Sequence, residues 1–183
     1  CHFLRALYYF TLVNLYADPY VPSKAASTPG VPLKLTSYVE DKEYQNNSVA
    51  EIYEQVLKDL NRAIECLSQT TRKSIYRADI TAAYLLTARV YLYMQDYPNA
   101  RKYAQLVLDR NDNLTELNLF AGTDNVFTSE NPEVIFSMGG HFLSYNIYGD
   151  DRYDEEYPFY VSDDLIAAFE ENDLRKSLYI SEG

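Results

Sequence analysis

The stretch from residue 141 to residue 161 combines the residue types that recognise sugars. It holds five tyrosines and two phenylalanines among acidic residues and an arginine. A flat aromatic ring can stack under the apolar face of a sugar, while amide, carboxylate and guanidinium groups bind its hydroxyls. The other interpretation is that these rings fold back over a helical core. The candidate ligand-binding residues are Tyr145, Asn146, Tyr148, Asp150, Arg152 and Tyr153.

The carboxylates of the same stretch allow two further interpretations, and both are weaker. A pair among Asp150, Asp154 and Glu155 would suit a glycoside hydrolase, but that chemistry depends on a carboxyl separation that a sequence does not give. The run could also collect a calcium ion, although acidic loops of this kind are usually solvated. We therefore predict neither a catalytic pair nor a metal site in this stretch.

Motifs of the common catalytic and cofactor-binding sites are missing from the sequence. There is no G-x-S-x-G, no H-E-x-x-H, no P-loop and no glycine-rich dinucleotide fingerprint. Residues 109–113 begin like a calcium loop, but Leu114 and Phe120 stand where the glycine and the bidentate glutamate are needed. We predict that the protein is not an enzyme, has no catalytic residues, and uses neither a metal nor a cofactor.

Composition limits the partners and the compartment. The formal net charge of the 183 residues is −11, so the chain should repel nucleic acid and anionic membrane surfaces. Two cysteines make no disulfide framework, and we expect Cys66 to be a buried hydrophobe. Because a helical pattern begins directly after Cys1, we interpret Cys1 as an internal residue at a cut end. The sequence has no signal peptide and no apolar run long enough to span a bilayer.

Hydrophobic periodicity predicts two helices in the first 67 residues. The first covers residues 2–17, and the second begins at a capping box formed by Ser48 and Glu51 and runs to about Leu67. The predicted buried faces carry Phe3, Leu4, Leu7, Tyr8, Thr11 and Leu15 on the first helix, and Ile52, Val56, Leu60, Ile64 and Leu67 on the second. The predicted solvated face of the second helix carries Glu54, Lys58, Asp59, Arg62 and Glu65.

Two further helices follow. The third, from about Asp79 to Gln95, is apolar nearly all round, which is typical of a helix in the centre of a stack. The turn at residues 96–98 ends in Pro98, which suits the first turn of a helix. The predicted buried stripe of the fourth helix carries Ala100, Tyr103, Ala104, Val107 and Leu108.

The same helical hairpin occurs twice in the sequence. Leu15-Tyr16 matches Leu92-Tyr93 at an offset of 77 residues, and a stretch of five residues repeats at an offset of 50. The offsets differ because the first copy carries a longer loop, residues 18–47, and a loop of this length is usually functional or mobile. The five repeated residues are Ala50, Tyr53, Gln55, Val56 and Leu57, which match Ala100, Tyr103, Gln105, Leu106 and Val107. Such repeats indicate stacked helical units that bury their apolar faces against each other.

The sequence changes character after residue 110. A short β-like run from Glu133 to Met138 is stopped by two glycines, and Ser162 suits the N-cap of a final helix that buries Leu165, Ile166 and Phe169. We therefore predict a mainly α fold with little β structure and long irregular loops. Residues 1–110 would form the hairpins with the inserted loop 18–47, and residues 111–183 a loop-rich segment with a short strand and a final helix.

Several short segments occur in a specific order along the chain. They are residues 3–10, 12–14, 16–20, 30–33, 49–67, 82–86, 88–92 and 96–97, then Ala100, and finally residues 131–136 and 173–175. In their order and spacing these segments resemble the SusD/RagB family of outer-membrane nutrient-binding lipoproteins, and the resemblance spans essentially the whole chain.

This resemblance implies tetratricopeptide-like hairpins, with both segments of the chain in one SusD-like domain. It implies a surface-exposed, lipid-anchored outer-membrane protein that binds glycans, or in some members peptides. Such proteins pass the ligand to a SusC-like TonB-dependent transporter, and no catalysis belongs to that role. In the family the helical-repeat side faces the transporter, while loops of the more irregular part form the ligand site.

The chain departs from the family pattern in ways that limit what is carried over. Family members are more than twice this length, so we expect an internal fragment whose lipid anchor lies outside it and not at Cys1. The tryptophans that stack on sugars in the family are absent from this stretch, and no ligand residue is carried over. Two alternatives to glycan binding stay open: a helical-repeat scaffold that binds only protein and, more weakly, a glycoside hydrolase.

Overall fold

The computed structural model describes residues 1–119, 128–139 and 161–180, which fall into two compact units, Cys1–Asp112 and Asn113–Gly183. The first unit contains α1 (His2–Tyr16), α2 (Val49–Leu67), α3 (Ile80–Tyr93) and α4 (Tyr97–Leu108). The second contains a 3₁₀ turn (Leu117–Leu119), α5 (Asp163–Ala167) and α6 (Leu174–Tyr179). The mainly helical prediction is confirmed, since within the described ranges the β structure is one isolated bridge.

The four helices of the first unit form two packed hairpins. Helix α1 packs against α2, α3 packs against α4, and contacts between α2 and α3 join the hairpins. Helix α3 is buried on most of its surface, which confirms its predicted central position. Its buried residues are Ile80, Thr81, Ala82, Ala83, Leu86, Thr87, Ala88 and Val90.

Local sequence signals set the starts of these helices. The capping box at α2 is confirmed, because Glu51 N donates to Ser48 Oγ at 3.2 Å and Ser48 N donates to Glu51 Oε2 at 2.7 Å. Asp79 and Asp96 cap α3 and α4 by accepting backbone hydrogen bonds three residues on. Each cap satisfies an amide at a helix start that has no partner inside the helix.

The buried face of α1 differs from the predicted one. Leu4, Tyr8 and Leu15 are 40%, 51% and 68% exposed, so their predicted burial was wrong. The residues that α1 buries are Phe3, Ala6, Phe10 and Val13. Helix α1 has apolar residues on opposite sides, so two stripes have helical spacing. The stripe that faces α2 and α3 is the buried one. There the Phe10 ring lies edge-on to the Tyr93 ring, with 5.1 Å between the ring centroids.

Burial is also lower than predicted at the ends of α2 and α4. Cys66 is exposed, and Ile64 and Leu67 are half-buried. On α4, Ala104 and Leu108 are exposed, and Val107 is the buried residue of the predicted stripe. Helix α4 packs chiefly against α3, and Ala104 and Leu108 of its apolar stripe stay exposed within the described residues.

The inserted loop is pinned at its base to the start of α2. Gly30 N donates to Asn47 O at 2.7 Å, Val49 N donates to Thr28 O at 2.9 Å, and Pro29 and Ser48 form the isolated antiparallel bridge. Gly30 is required by close approach, since a Cβ there would lie 2.9 Å from Asn47 O. Two residues of the loop itself, Ala25 and Val31, are buried.

The second unit has little regular structure in its described residues. Residues 134–139 carry no strand, in contrast to the predicted β-like run, and a turn in which Val134 N donates to Asn131 O precedes them. Ser162 caps α5 as predicted, with Leu165 N donating to its Oγ at 3.3 Å. Leu165 is 52% exposed instead of buried, and α6 follows as a second short helix. That both units belong to one domain stays a prediction.

Candidate functional site

The predicted ligand-binding residues lie outside the described residues. Tyr145, Asn146, Tyr148, Asp150, Arg152 and Tyr153 all fall between residues 140 and 160. Their role therefore stays a prediction. The described part of the chain offers a different polar centre, in the first unit, around a buried carboxylate on α2.

Asp59 is the centre of this cluster and is only 2% exposed. Arg5 on α1 reaches it with a forked contact, in which Nε donates to Oδ2 at 2.8 Å and Nη2 to Oδ1 at 2.6 Å. His2 Nδ1 lies 2.7 Å from Oδ1, and Gln55 Nε2 donates to Oδ2 at 3.0 Å. The predicted solvated position of Asp59 was wrong, because side chains from α1 cover it.

The contacts of Asp59 decide its charge state. Burial by itself raises the pKa of this carboxyl, but the hydrogen bonds from Arg5, His2 and Gln55 outweigh burial and hold the pKa below its ordinary value. The same ion pair raises the pKa of Arg5. A carboxylate with four hydrogen bonds from neighbouring side chains is a poor proton acceptor for a substrate. The cluster therefore links α1 to α2, and we refer to these contacts of Asp59 with His2 and Arg5 as the tie.

A repeated pair of side chains could have indicated this tie from the sequence. Gln55 and Asp59 recur as Gln105 and Asp109 at the repeat offset of 50, and Gln105 Nε2 donates to Asp109 Oδ1 at 2.8 Å. In the second hairpin the position equivalent to Arg5 is Ala82, and Asp109 is exposed. The cation on the first helix therefore distinguishes the two copies.

A groove of about 680 Å³ runs beside this cluster along the outer face of α2. Its walls include Glu54, Lys58 and Asn61 on α2, Leu35 from the inserted loop and Tyr91 on α3. Its size lies within the range of small-molecule sites, roughly 300–1,000 Å³. A second hollow, of about 340 Å³, lies in the second unit beside Asn131 and Glu133.

The inserted loop is fastened to α1 by the Tyr9 hydroxyl and by Arg5, whose Nη1 donates to Leu35 O at 3.4 Å. Tyr9 Oη donates to Lys34 O at 2.8 Å and accepts from Lys34 N at 2.7 Å. Farther along the loop, Tyr44 Oη and Lys42 Nζ both contact Glu40 at 2.6 Å. The hydrogen bonds from Lys42 and Tyr44 lower the pKa of Glu40 to about 2. These contacts link residues 40, 42 and 44 of the loop to one another.

Several of the aromatic rings in the first unit serve packing. Tyr53 is 1% exposed, lies edge-on to Phe10 at 5.9 Å and donates its hydroxyl hydrogen to Asn14 Oδ1 at 3.2 Å. Burial raises the pKa of the Tyr53 hydroxyl. The Tyr20 ring lies against the Tyr53 ring, with 4.8 Å between the ring centroids. Tyr53 and Phe10 therefore belong to the core.

Two further properties hold for the described residues. Within ranges 1–119, 128–139 and 161–180, no three His, Cys, Asp or Glu side chains are grouped closely enough to hold a metal ion. Nor is any helix in those ranges both long and apolar enough to cross a membrane.

A family model described as SusD-like_3, starch-binding associating with outer membrane, matches residues 1–92. This match covers α1, the inserted loop, α2 and nearly all of α3. No curated protein matches the chain.

Solved structures of SusD-type proteins also resemble the chain. A SusD superfamily protein from Bacteroides thetaiotaomicron VPI-5482 is 32% identical over 64% of this chain, with a TM-score of 0.57. One from Bacteroides fragilis is 32% identical over 70% of this chain, with a TM-score of 0.57. A SusD-like carbohydrate binding protein from Bacteroides vulgatus ATCC 8482 matches 96% of the chain at 22% identity and a TM-score of 0.74, a likeness of fold alone. The chain spans 26%, 30% and 38% of the lengths of these three proteins, respectively.

Proposed function

Because the chain belongs to the SusD-like family of starch-binding, outer-membrane-associated proteins, we propose that it binds a glycan at the cell surface and delivers it to a SusC-like TonB-dependent transporter. The observation that carries this proposal is the family match over residues 1–92, which include the first hairpin and its inserted loop. Glycan binding and outer-membrane association hold at the level of the family. A lipid anchor outside residues 1–183 is part of the proposal.

The proposed ligand contacts are the six residues of the aromatic segment, Tyr145, Asn146, Tyr148, Asp150, Arg152 and Tyr153. Their residue types supply stacking faces together with hydrogen-bond donors and acceptors, which is the mixture that sugar recognition requires. A glycan is the proposed ligand, and a peptide is the alternative. The protein releases its ligand unchanged, since the proposed role is capture and transfer without catalysis.

A repeated exposed surface supports contact with a partner protein. Tyr8 on α1 and Leu85 on α3 are equivalent in the two hairpins, and both are exposed. The same is true of Leu15 and its equivalent, Leu92. We infer that these positions contribute to a contact surface, since exposed apolar patches mark interaction sites. This observation also favours the second candidate function, a helical scaffold that binds only protein.

Two measurements on the complete protein separate these functions. Co-purification from outer membranes should recover a TonB-dependent transporter, and an oligosaccharide array should give saturable signals. Transporter recovery without any saccharide or peptide signal would leave only the scaffold function. Loss of saccharide from the array mixture by hydrolysis would contradict the non-enzymatic proposal and support the glycoside hydrolase alternative.

A further inference from the structure

The groove along α2 has the chemistry of a neutral, hydroxyl-rich ligand site. Glu54, Lys58 and Asn61 are exposed and follow one another at spacings of four and three residues, so they share one face of the helix. Together they present a carboxylate, an ammonium group and an amide to the same space. Sugar hydroxyls both donate and accept hydrogen bonds, and this set of groups can meet both needs.

The charges around the groove favour a neutral ligand over an ionic one. Its acidic side chains, Glu54, Asp59 and Glu65, are matched in number by its basic side chains, Arg5, Lys58 and Arg62. Arg5 is already paired with Asp59. Arg62 is paired with Glu65, with 2.7 Å between Nη1 and Oε2. A phosphate or a polycarboxylate would meet no net positive charge here.

An aromatic wall completes the groove. Tyr91 lines it from α3 and is half-buried. Tyr103 on α4 stacks on the Tyr91 ring at 5.6 Å between centroids and 19° between planes, which holds the ring in place. A fixed ring beside exposed polar groups offers the combination of stacking and hydrogen bonding that saccharides need.

We propose that the groove between Glu54, Lys58, Asn61 and Tyr91 is a second saccharide-binding site, distinct from the aromatic segment at residues 141–160. It takes a neutral oligosaccharide, and it rests on the proposed glycan-binding function.

Maltoheptaose is a suitable neutral probe, and calorimetric titration of the complete protein counts its sites. Asn61→Trp fills the groove at an exposed position, and Asn46→Trp is the matched control at an exposed position of the inserted loop. We expect Asn61→Trp to remove one binding site, or all binding if the groove is the only site for this probe, while Asn46→Trp binds like the wild type. Lys58→Ala, at an exposed position, should weaken groove binding about three- to tenfold.

The remaining outcomes distinguish failure of the groove proposal from failure of the proposed glycan-binding function. Unchanged maltoheptaose binding in both Asn61→Trp and Lys58→Ala would overturn the groove proposal and leave the glycan-binding function standing. A complete wild-type protein that binds neither maltoheptaose, cellohexaose nor xylohexaose would contradict the groove proposal and count against the function as well. Melting curves of both tryptophan variants that match the wild type exclude unfolding as the cause of any loss.

Discussion

Asp59 and Asp109 occupy equivalent positions in the two helical hairpins, yet Asp59 is 2% exposed and Asp109 lies on the surface. Each accepts a hydrogen bond from a glutamine four residues before it. The difference comes from the start of the first helix in each hairpin: His2 and Arg5 contact Asp59, whereas the equivalent positions in the second hairpin are Asp79 and Ala82. The glutamine–aspartate pair is therefore joined to the preceding helix in the first hairpin and lies on the surface in the second.

Asp59→Ala should destabilise the protein by about 1–3 kcal/mol, because Arg5 and Gln55 lose their shared acceptor in a buried setting. The Arg5 side chain is one-third exposed, so in the variant its guanidinium can hydrogen-bond to water, which reduces the loss of stability. Asp109→Ala is the matched control, with an expected change within about 0.5 kcal/mol. Urea unfolding followed by circular dichroism measures both. Equal effects at the two positions would mean that the tie contributes nothing of its own.

The tie should also make stability depend on acid pH. The pKa of Asp59 is lowered in the folded protein, so its contribution is present above the unfolded pKa of about 3.9 and is lost as pH falls through the folded value. The difference in melting temperature between wild type and Asp59→Asn should therefore have its full value at about pH 5. It should shrink below about pH 4. A difference that grows on acidification would contradict a lowered pKa.

Gly30→Ala should destabilise the inserted loop, because the new methyl group would approach Asn47 O at 2.9 Å and Ile52 Cγ1 at 3.2 Å. Overpacking of this kind costs about 1–3 kcal/mol. Ala26→Ser adds one heavy atom at an exposed position in the same loop and is the control. Thermal melting of the two variants gives the comparison. A Gly30→Ala protein as stable as the control would show that the backbone can move apart without cost.

Tyr9→Phe should loosen the inserted loop without unfolding the helices. The variant loses both hydrogen bonds with Lys34, worth about 1–2 kcal/mol together. Hydrogen exchange at the Lys34 amide should become faster, while exchange in α2 and α3 stays unchanged. Tyr8→Phe removes the hydroxyl of an exposed neighbouring tyrosine and should leave all amide exchange rates unchanged. Faster exchange throughout the unit would mean that Tyr9 supports the core instead of the loop.

Helix positions and starts were predictable because their signals are local. The caps at Ser48 and Asp79 and the proline in the first turn of α4 all depend on neighbours within a few residues. The repeat was visible for the same reason, since a duplicated hairpin keeps its spacing. These signals fix which residues are helical but leave open which side of each helix is covered.

Burial faces were less predictable because they depend on contacts between distant residues. Helix α1 is apolar on opposite sides, so periodicity alone could not distinguish Phe10 from Leu15 as the core position. Asp59 looked like a surface residue within its own helix, and its cover comes from Arg5, which is 54 residues away. The aromatic segment was assigned to ligand binding from residue types alone, and that assignment stays a prediction.

Tyr148→Ala and Tyr153→Ala should each weaken glycan binding by about 0.5–1.5 kcal/mol, because each removes one stacking face. Melting temperatures should stay at the wild-type value, since the proposed rings face the ligand. Tyr76→Ala, at an exposed ring in the first unit, is the control and should leave affinity unchanged. Unchanged affinity with a lowered melting temperature would place Tyr148 and Tyr153 in the core.

Direct titration of the complete protein with neutral oligosaccharides tests the central claim, that this SusD-like protein captures a glycan without altering it. Calorimetry should show saturable binding of at least one member of a series that includes maltoheptaose, cellohexaose and xylohexaose. Chromatography of the same mixture should recover the oligosaccharide at its original length. Absence of binding across the series, or shortened products after incubation, would contradict the claim.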